Sequence, residues 1–176
     1  MYIWTAIDLD GQLSELRDRA EAVSGELDAK NHALTLPLHI SLKISCEIGE
    51  GDFAEAVERI YEYLSTRRPF EITPVVIEKA GCVVWIRHRE SGELREMHEW
   101  LVELFKNQYG VLPHQFDLDF AYHTSLFVGG EGEAAVAYER LKNETLPMSF
   151  TASSYVIGCS ESGKAGEYRV IRKIEI

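Results

Sequence analysis

Apolar and polar residues alternate through residues 36–45 as they do in a strand with one buried face. His39, Ser41, Lys43, Ser45 and Glu47 fall on one side, and Ile40, Leu42, Ile44, Cys46 and Ile48 on the other. One side is core; the other is a row of polar functional groups. Residues 2–9 alternate in the same way, Tyr2, Trp4, Ala6 and Asp8 against Ile3, Thr5, Ile7 and Leu9, and Asp10-Gly11 predicts the turn that ends them. Between these two strands the period lengthens: Leu13, Leu16, Ala20, Val23 and Leu27 recur at helical spacing, predicting a helix that runs as far as Lys30. A loop through Asn31, His32 and Pro37 leads into the strand that carries His39. After Gly49-Glu50-Gly51, Asp52 and Glu55 predict a capping box that opens a helix with the stripe Phe53, Ala56, Val57, Ile60 and Leu64. Pro69 then starts a strand over 70–77.

From residue 83 the order begins again. A strand over 83–87 is followed by a helix opened by Ser91-Gly92-Glu93, with Leu94, Met97, Leu101, Leu104 and Phe105 on one side. A second loop ends in the strand 122–128, which carries His123. Gly129-Gly130 stops it, Ala134, Ala137, Tyr138 and Leu141 predict a shorter helix, and strands over 148–157 and 168–176 close the chain. Strand, helix, strand with His-x-Ser-Leu, helix and Pro-led strand therefore occur twice, and Pro69-Phe70-Glu71-Ile72-Thr73 echoes Pro147-Met148-Ser149-Phe150-Thr151. No Pro-, Gly- or Ser-rich linker separates the halves, about 1–80 and 81–176, so they are expected to share an interface. A pseudo-twofold between them would bring equivalent strands together, and with them His39 and His123.

Composition narrows the picture. A chain of 176 residues fits one domain, or two small lobes on a shared core, and buries roughly two thirds of its unfolded surface. Its apolar runs are short and residues 1–5 do not read as an export signal, so a soluble cytoplasmic protein without a membrane partner is expected. Cys46, Cys82 and Cys159 are odd in number and lack metal-type spacing, as reduced thiols do. The formal charge of −11 argues against coating duplex nucleic acid. It leaves room for a small anionic substrate, because charges more than about 8 to 10 Å apart in salt solution are largely screened. A phosphate site on this chain has to be local.

Two histidines at matching positions of a repeat suit phosphodiester chemistry. With ordinary values of about 6.5, one imidazole is neutral and acts as general base while the other is protonated and acts as general acid. Ser41 and Ser125, two residues on, would donate to the non-bridging phosphate oxygens. The scheme needs no metal and no cofactor. A metal reading asks for further ligands, and only Glu47 and Asp119 lie near the motifs in sequence.

His39-Ile40-Ser41-Leu42 and His123-Thr124-Ser125-Leu126 resemble the paired H-x-[T/S]-hydrophobic motifs of the two-histidine (2H) phosphoesterase superfamily. The resemblance covers nearly the whole chain, including motif spacing, the duplicated element order and a closing strand at 168–171. It implies a bilobal α+β fold with mostly antiparallel sheets around a central cleft, and metal-independent catalysis. It also implies substrates such as nucleotides or RNA ends carrying 2′,3′-cyclic phosphates or 2′,5′ linkages. Carried over, His39 and His123 are the catalytic pair and Ser41 and Ser125 the phosphate-binding hydroxyls. Thr is common at both hydroxyl positions in the superfamily, and Ser keeps the donor while losing the stiffness of a β-branched side chain.

Lys43 shares the His39 face and is a further candidate for the phosphate; its counterpart Phe127 reads as a cleft wall. Tyr155 is a candidate for the cleft border, His98 for the core, and Arg67-Arg68 and Arg87-His88-Arg89 for solvated loop charge. The loops holding His32 and His114 precede the motif strands and are candidates for shaping access. The expected protein is a monomeric hydrolase of small nucleotides or RNA termini. Three other readings stay open: an RNA 2′,5′-ligase running the reaction backwards, a nucleotide-binding module, and a metal-dependent hydrolase.

Overall fold

The computed structural model describes residues 1–9 and 11–176; Asp10, read above as part of the first turn, lies outside the described residues. In chain order the elements are β1 (Tyr2–Asp8), α1 (Ser14–Glu26), β2 (His39–Ser41), β3 (Cys46–Glu47), α2 (Glu50–Ser65), β4 (Phe70–Ile72), β5 (Pro74–Ala80), β6 (Val83–His88), α3 (Gly92–Tyr109), β7 (His123–Val128), α4 (Glu131–Leu141), β8 (Phe150–Ala152), β9 (Ser154–Ser160) and β10 (Arg169–Glu175). Short 3-10 turns at His32–Thr35 and Gln115–Asp117 precede the two motif strands.

All strand pairs among the described residues are antiparallel. The first sheet runs β10-β9-β1-β2, with β3 also on β1, and the second runs β5-β6-β7. Each motif strand thus lies beside the first strand of its own half, β2 on β1 and β7 on β6, and β2 and β7 lie against each other. A two-stranded ribbon, β4 with β8, links the halves through Glu71 opposite Thr151. The result is an α+β fold of two pseudo-symmetric lobes.

The helices cross over. α1 packs on β7 and α4, and α4 covers β5 and β6, while α2 covers β9 and β10. α3 joins α2 through Tyr63 stacked on Trp100 at 3.7 Å. The first helix of each half therefore meets the other half, α1 at β7 and α3 at α2. One continuous core contains Ile7, Ile40 and Ile60 together with Ile86, Leu101 and Leu126. α3 is bounded as its sequence predicts: the Ser91 hydroxyl accepts from the Leu94 N–H at 3.3 Å, and Gly110 ends it at φ 67, where a side chain would be strained.

Several expectations need correction. The strand through His39 stops at Ser41, bends, and resumes only at Cys46, because residues 42–45 turn toward the second half, where Asp117 holds Lys43 and Ile44. The strand expected over 70–77 is two strands in different sheets, and so is that over 148–157. Phe70–Ile72 and Pro74–Ala80 are repeated as Phe150–Ala152 and Ser154–Ser160, so Pro147 is not the counterpart of Pro69. Helix α2 starts at Glu50 on Gly49, with no side-chain capping bond, in place of the capping box at Asp52.

Candidate active site

A cavity of about 270 Å³ opens between the lobes, lined by His39, Ser41, His123 and Ser125 together with Trp4, His32, Lys43, Ser45, Phe120 and Tyr168. The two imidazoles are held alike. His39 Nδ1 lies 2.7 Å from the Pro37 carbonyl and His123 Nδ1 2.8 Å from the Ala121 carbonyl, each two residues back along the chain. An acceptor at Nδ1 fixes the proton there in the neutral ring and leaves Nε2 as the nitrogen available to a ligand. A tryptophan from the adjacent strand packs on each ring, Trp4 on His39 at 4.5 Å and Trp85 on His123 at 4.3 Å.

Both histidines are pushed below their ordinary value. Burial is the largest cause for His39, which falls to about 4; the Pro37 carbonyl and Asp8 pull upward and His123 pulls downward. Burial also lowers His123, against the upward pull of the Ala121 carbonyl. Asp8 is directly opposite His39 in the sheet and is ion-paired to Lys173 at 3.0 Å.

The loop before each motif strand reaches the other motif, the first bracing β7 and the second bracing the bend that follows β2. Asn31 is buried with its amide fully used: Nδ2 donates to the Leu126 carbonyl at 2.9 Å and to Ser24 Oγ at 3.0 Å, while Oδ1 accepts from the Val128 and Ala33 N–H groups at 3.0 Å. On the opposite side, Asp117 accepts from the Ile44 N–H at 3.1 Å, Lys43 Nζ at 3.1 Å and the His114 N–H at 2.8 Å. His98 adds a link, with Nδ1 2.9 Å from the Leu42 carbonyl and Nε2 3.0 Å from that of Asp117.

The structure thus brings His39, His123, Ser41 and Ser125 to one cavity. Lys43 reaches the cavity wall, but its ammonium is buried and engaged by Asp117 and the Ile44 carbonyl instead of standing free for a phosphate. Phe127 is in the core, because a register irregularity in β7 turns both Leu126 and Phe127 inward. Tyr155 is fully buried and borders a different cavity of about 450 Å³, shared with Arg67 and Arg68. His88 is also turned inward, its Nε2 2.8 Å from Thr124 Oγ1, and burial lowers it to about 3. Glu47 and Asp119 are exposed, and among the described residues no group of three or more His, Cys, Asp or Glu is placed to hold a metal ion. Sequence reasoning gave no site role to Trp4, Trp85, Asn31, Asp117 or Phe120; the recurrence of Trp at the third position of β1 and β6 was the available signal.

No protein-family model matches the sequence, and no curated protein sequence matches it either. Solved structures do. TT0787 of Thermus thermophilus superposes with a TM-score of 0.65 at 16% identity, over 99% of this chain and 97% of that one. E. coli LigT without ligand gives 0.60 at 15% identity, over 99% and 96%. Kluyveromyces marxianus Usb1 gives 0.54 at 15%, over 99% and 98%. The fold is the one these structures share. The expectation carried by the paired motifs is met at the level of architecture, including the lobes and the antiparallel sheets. Among the described residues no helix is long and apolar enough to cross a membrane.

Proposed function

We propose that this chain is a metal-independent phosphodiesterase acting on 2′,3′-cyclic phosphates or 2′,5′ linkages of nucleotides and RNA ends. The observation that carries the reading is the pair of imidazoles in one cavity, each with Nδ1 tied to a backbone carbonyl and Nε2 left for a ligand, each followed by a serine on the same wall. Related architecture supports it: E. coli LigT has been crystallised with phosphate and with 3′-AMP.

In hydrolysis of a cyclic phosphodiester, one neutral imidazole takes a proton from water as its oxygen bonds to phosphorus. The other, protonated, gives its proton to the ribose oxygen as the P–O bond breaks. Ser41 and Ser125 donate to the non-bridging oxygens, where charge builds up in the transition state. The cycle ends with the two protonation states exchanged, and the acid–base pair is reset through solvent. Because the two rings are held alike, the same machinery would serve a 5′-hydroxyl in place of water: one imidazole takes its proton as its oxygen bonds to phosphorus, the other protonates the 3′ oxygen as its P–O bond breaks, and a 2′,5′ linkage results, which keeps a ligase as the second reading. On this reading 1–176 acts as one bilobal unit, with each wall of the site drawn from a different half, and works as a monomer.

Incubation with 2′,3′-cyclic nucleotides in excess EDTA tests the reading. Turnover to a phosphomonoester, unaffected by the chelator, is expected. Turnover restored only by added metal contradicts it, and tight binding of these nucleotides without turnover identifies a binding module instead.

A further inference from the structure

The motif serines are not held equally, and the difference lies in the tryptophans beside them. Trp4 Nε1 donates to Ser41 Oγ at 3.0 Å. An indole N–H only donates, whereas a hydroxyl has one proton and two lone pairs. The bond therefore occupies a lone pair of Ser41, and among the described residues no acceptor takes the hydroxyl proton, which stays available on the cavity wall. The indole has a prepared seat: it lies across Gly158, its neighbour on β9, where an added Cβ would come within 2.5 Å of Trp4 Cε3. Its ring packs edge-on against His39 on one side and Tyr168 on the other. In the second half Trp85 stands directly opposite Ser125 and packs on His123, yet its buried Nε1 makes no hydrogen bond.

We infer that Trp4 is a positioning residue: its indole N–H, seated over Gly158, fixes the Ser41 hydroxyl so that its proton is presented to the substrate's phosphate. This supplies from a neighbour the restraint that a β-branched threonine would carry in its own χ1. The inference rests on the phosphodiesterase reading above and deepens it. Ser41 is a preorganised donor and Ser125 a free rotor, so the two serines contribute unequally.

The test is a double-mutant cycle with a rescue, read as kcat and KM on a 2′,3′-cyclic nucleotide. Trp4→Phe keeps the aromatic ring and removes the donor; it should lower kcat about tenfold with KM little changed, against about a hundredfold for Ser41→Ala. Trp4→Phe added to Ser41→Ala should cost nothing more, and Ser41→Thr added to Trp4→Phe should restore most of the lost rate. Trp85→Phe should lower the rate by the same factor with or without Ser125→Ala. Equal losses from Trp4→Phe in the wild-type and Ser41→Ala backgrounds, or no rescue by threonine, would overturn the inference. Should Trp4→Phe not fold, the indole N–H resonance of Trp4 in the Ser41→Ala protein decides: it should move upfield and exchange faster, and an unchanged resonance refutes the bond. Wild-type protein that turns over no cyclic nucleotide overturns the reading of the site and this role with it; wild-type turnover with an additive cycle overturns the role of Trp4 alone.

Discussion

His39 and His123 each give a ring nitrogen to a carbonyl two residues back, and each is half-buried in the wall of the cavity. The sequence alone suggests a bell-shaped pH profile with both limbs near neutrality. Burial moves both down: His39 to about 4, and His123 below its ordinary value. In the free protein both rings are therefore neutral above about pH 6.5, whereas the proposed reaction needs one of them charged. The profile of kcat/KM should peak below pH 6.5 and fall about tenfold per pH unit on the alkaline side. The kcat profile should lie at higher pH, because a bound phosphate favours imidazolium. A kcat/KM plateau extending past pH 8 would contradict this protonation scheme. Lys43 shows a second effect of burial. Its partner Asp117 has no other cationic side chain among the ion pairs of the described residues, so Lys43→Met strands a buried carboxylate. Urea unfolding should show a loss of about 3 kcal/mol or more, the usual cost of breaking a buried pair from one side. A phosphate ligand would show the opposite pattern, with unchanged stability and a collapse in activity.

At the scale of elements, the site depends on loops that reach across to the other half. Asn31 satisfies the Leu126 carbonyl, at the irregularity in β7, and the Val128 N–H just beyond it. Asn31→Ala leaves both without that partner and should destabilise the fold by about 2 kcal/mol or more in urea, since a buried backbone group left unpaired costs about 1 to 3 kcal/mol. A loss below about 0.5 kcal/mol, ordinary for a surface change, would show that the brace is dispensable. The central strands, the four helices and both histidine motifs were legible because hydrophobic periodicity and short motifs are local. What was not legible is non-local. Nothing near Asn31 or Asp117 in the sequence announces a partner in the other half, and the bend after Ser41 does not interrupt the alternation pattern; at the register shift the alternation does stop, at Leu126-Phe127-Val128, but three apolar residues in a row do not say which of them face the core. Phe127 and Lys43 occupy equivalent places after their motifs, yet one enters the core and the other an ion pair.

For the whole molecule, charge and topology act together. The chain carries −11, and Lys43, already paired, is the sole Lys or Arg among the described residues lining the cavity. On the proposed function, anionic substrates would approach against the long-range field and be held by hydroxyls and an imidazolium at short range. Raising ionic strength from low to physiological should lower KM; a basic groove built for long RNA would show KM rising with salt. The crossed helices leave neither half with a core of its own, so the two motifs are held at a fixed distance by the entire fold. That arrangement makes the central claim accessible to one measurement: single-turnover hydrolysis of a 2′,3′-cyclic nucleotide, in EDTA, by wild type, His39→Ala, His123→Ala and the double variant. Groups that act as a unit are not additive, so each single variant should lose at least about a thousandfold and the double variant no more than the worse single one. A double variant that multiplies the two losses, or a single variant that keeps most of the wild-type rate, would contradict paired catalysis by His39 and His123.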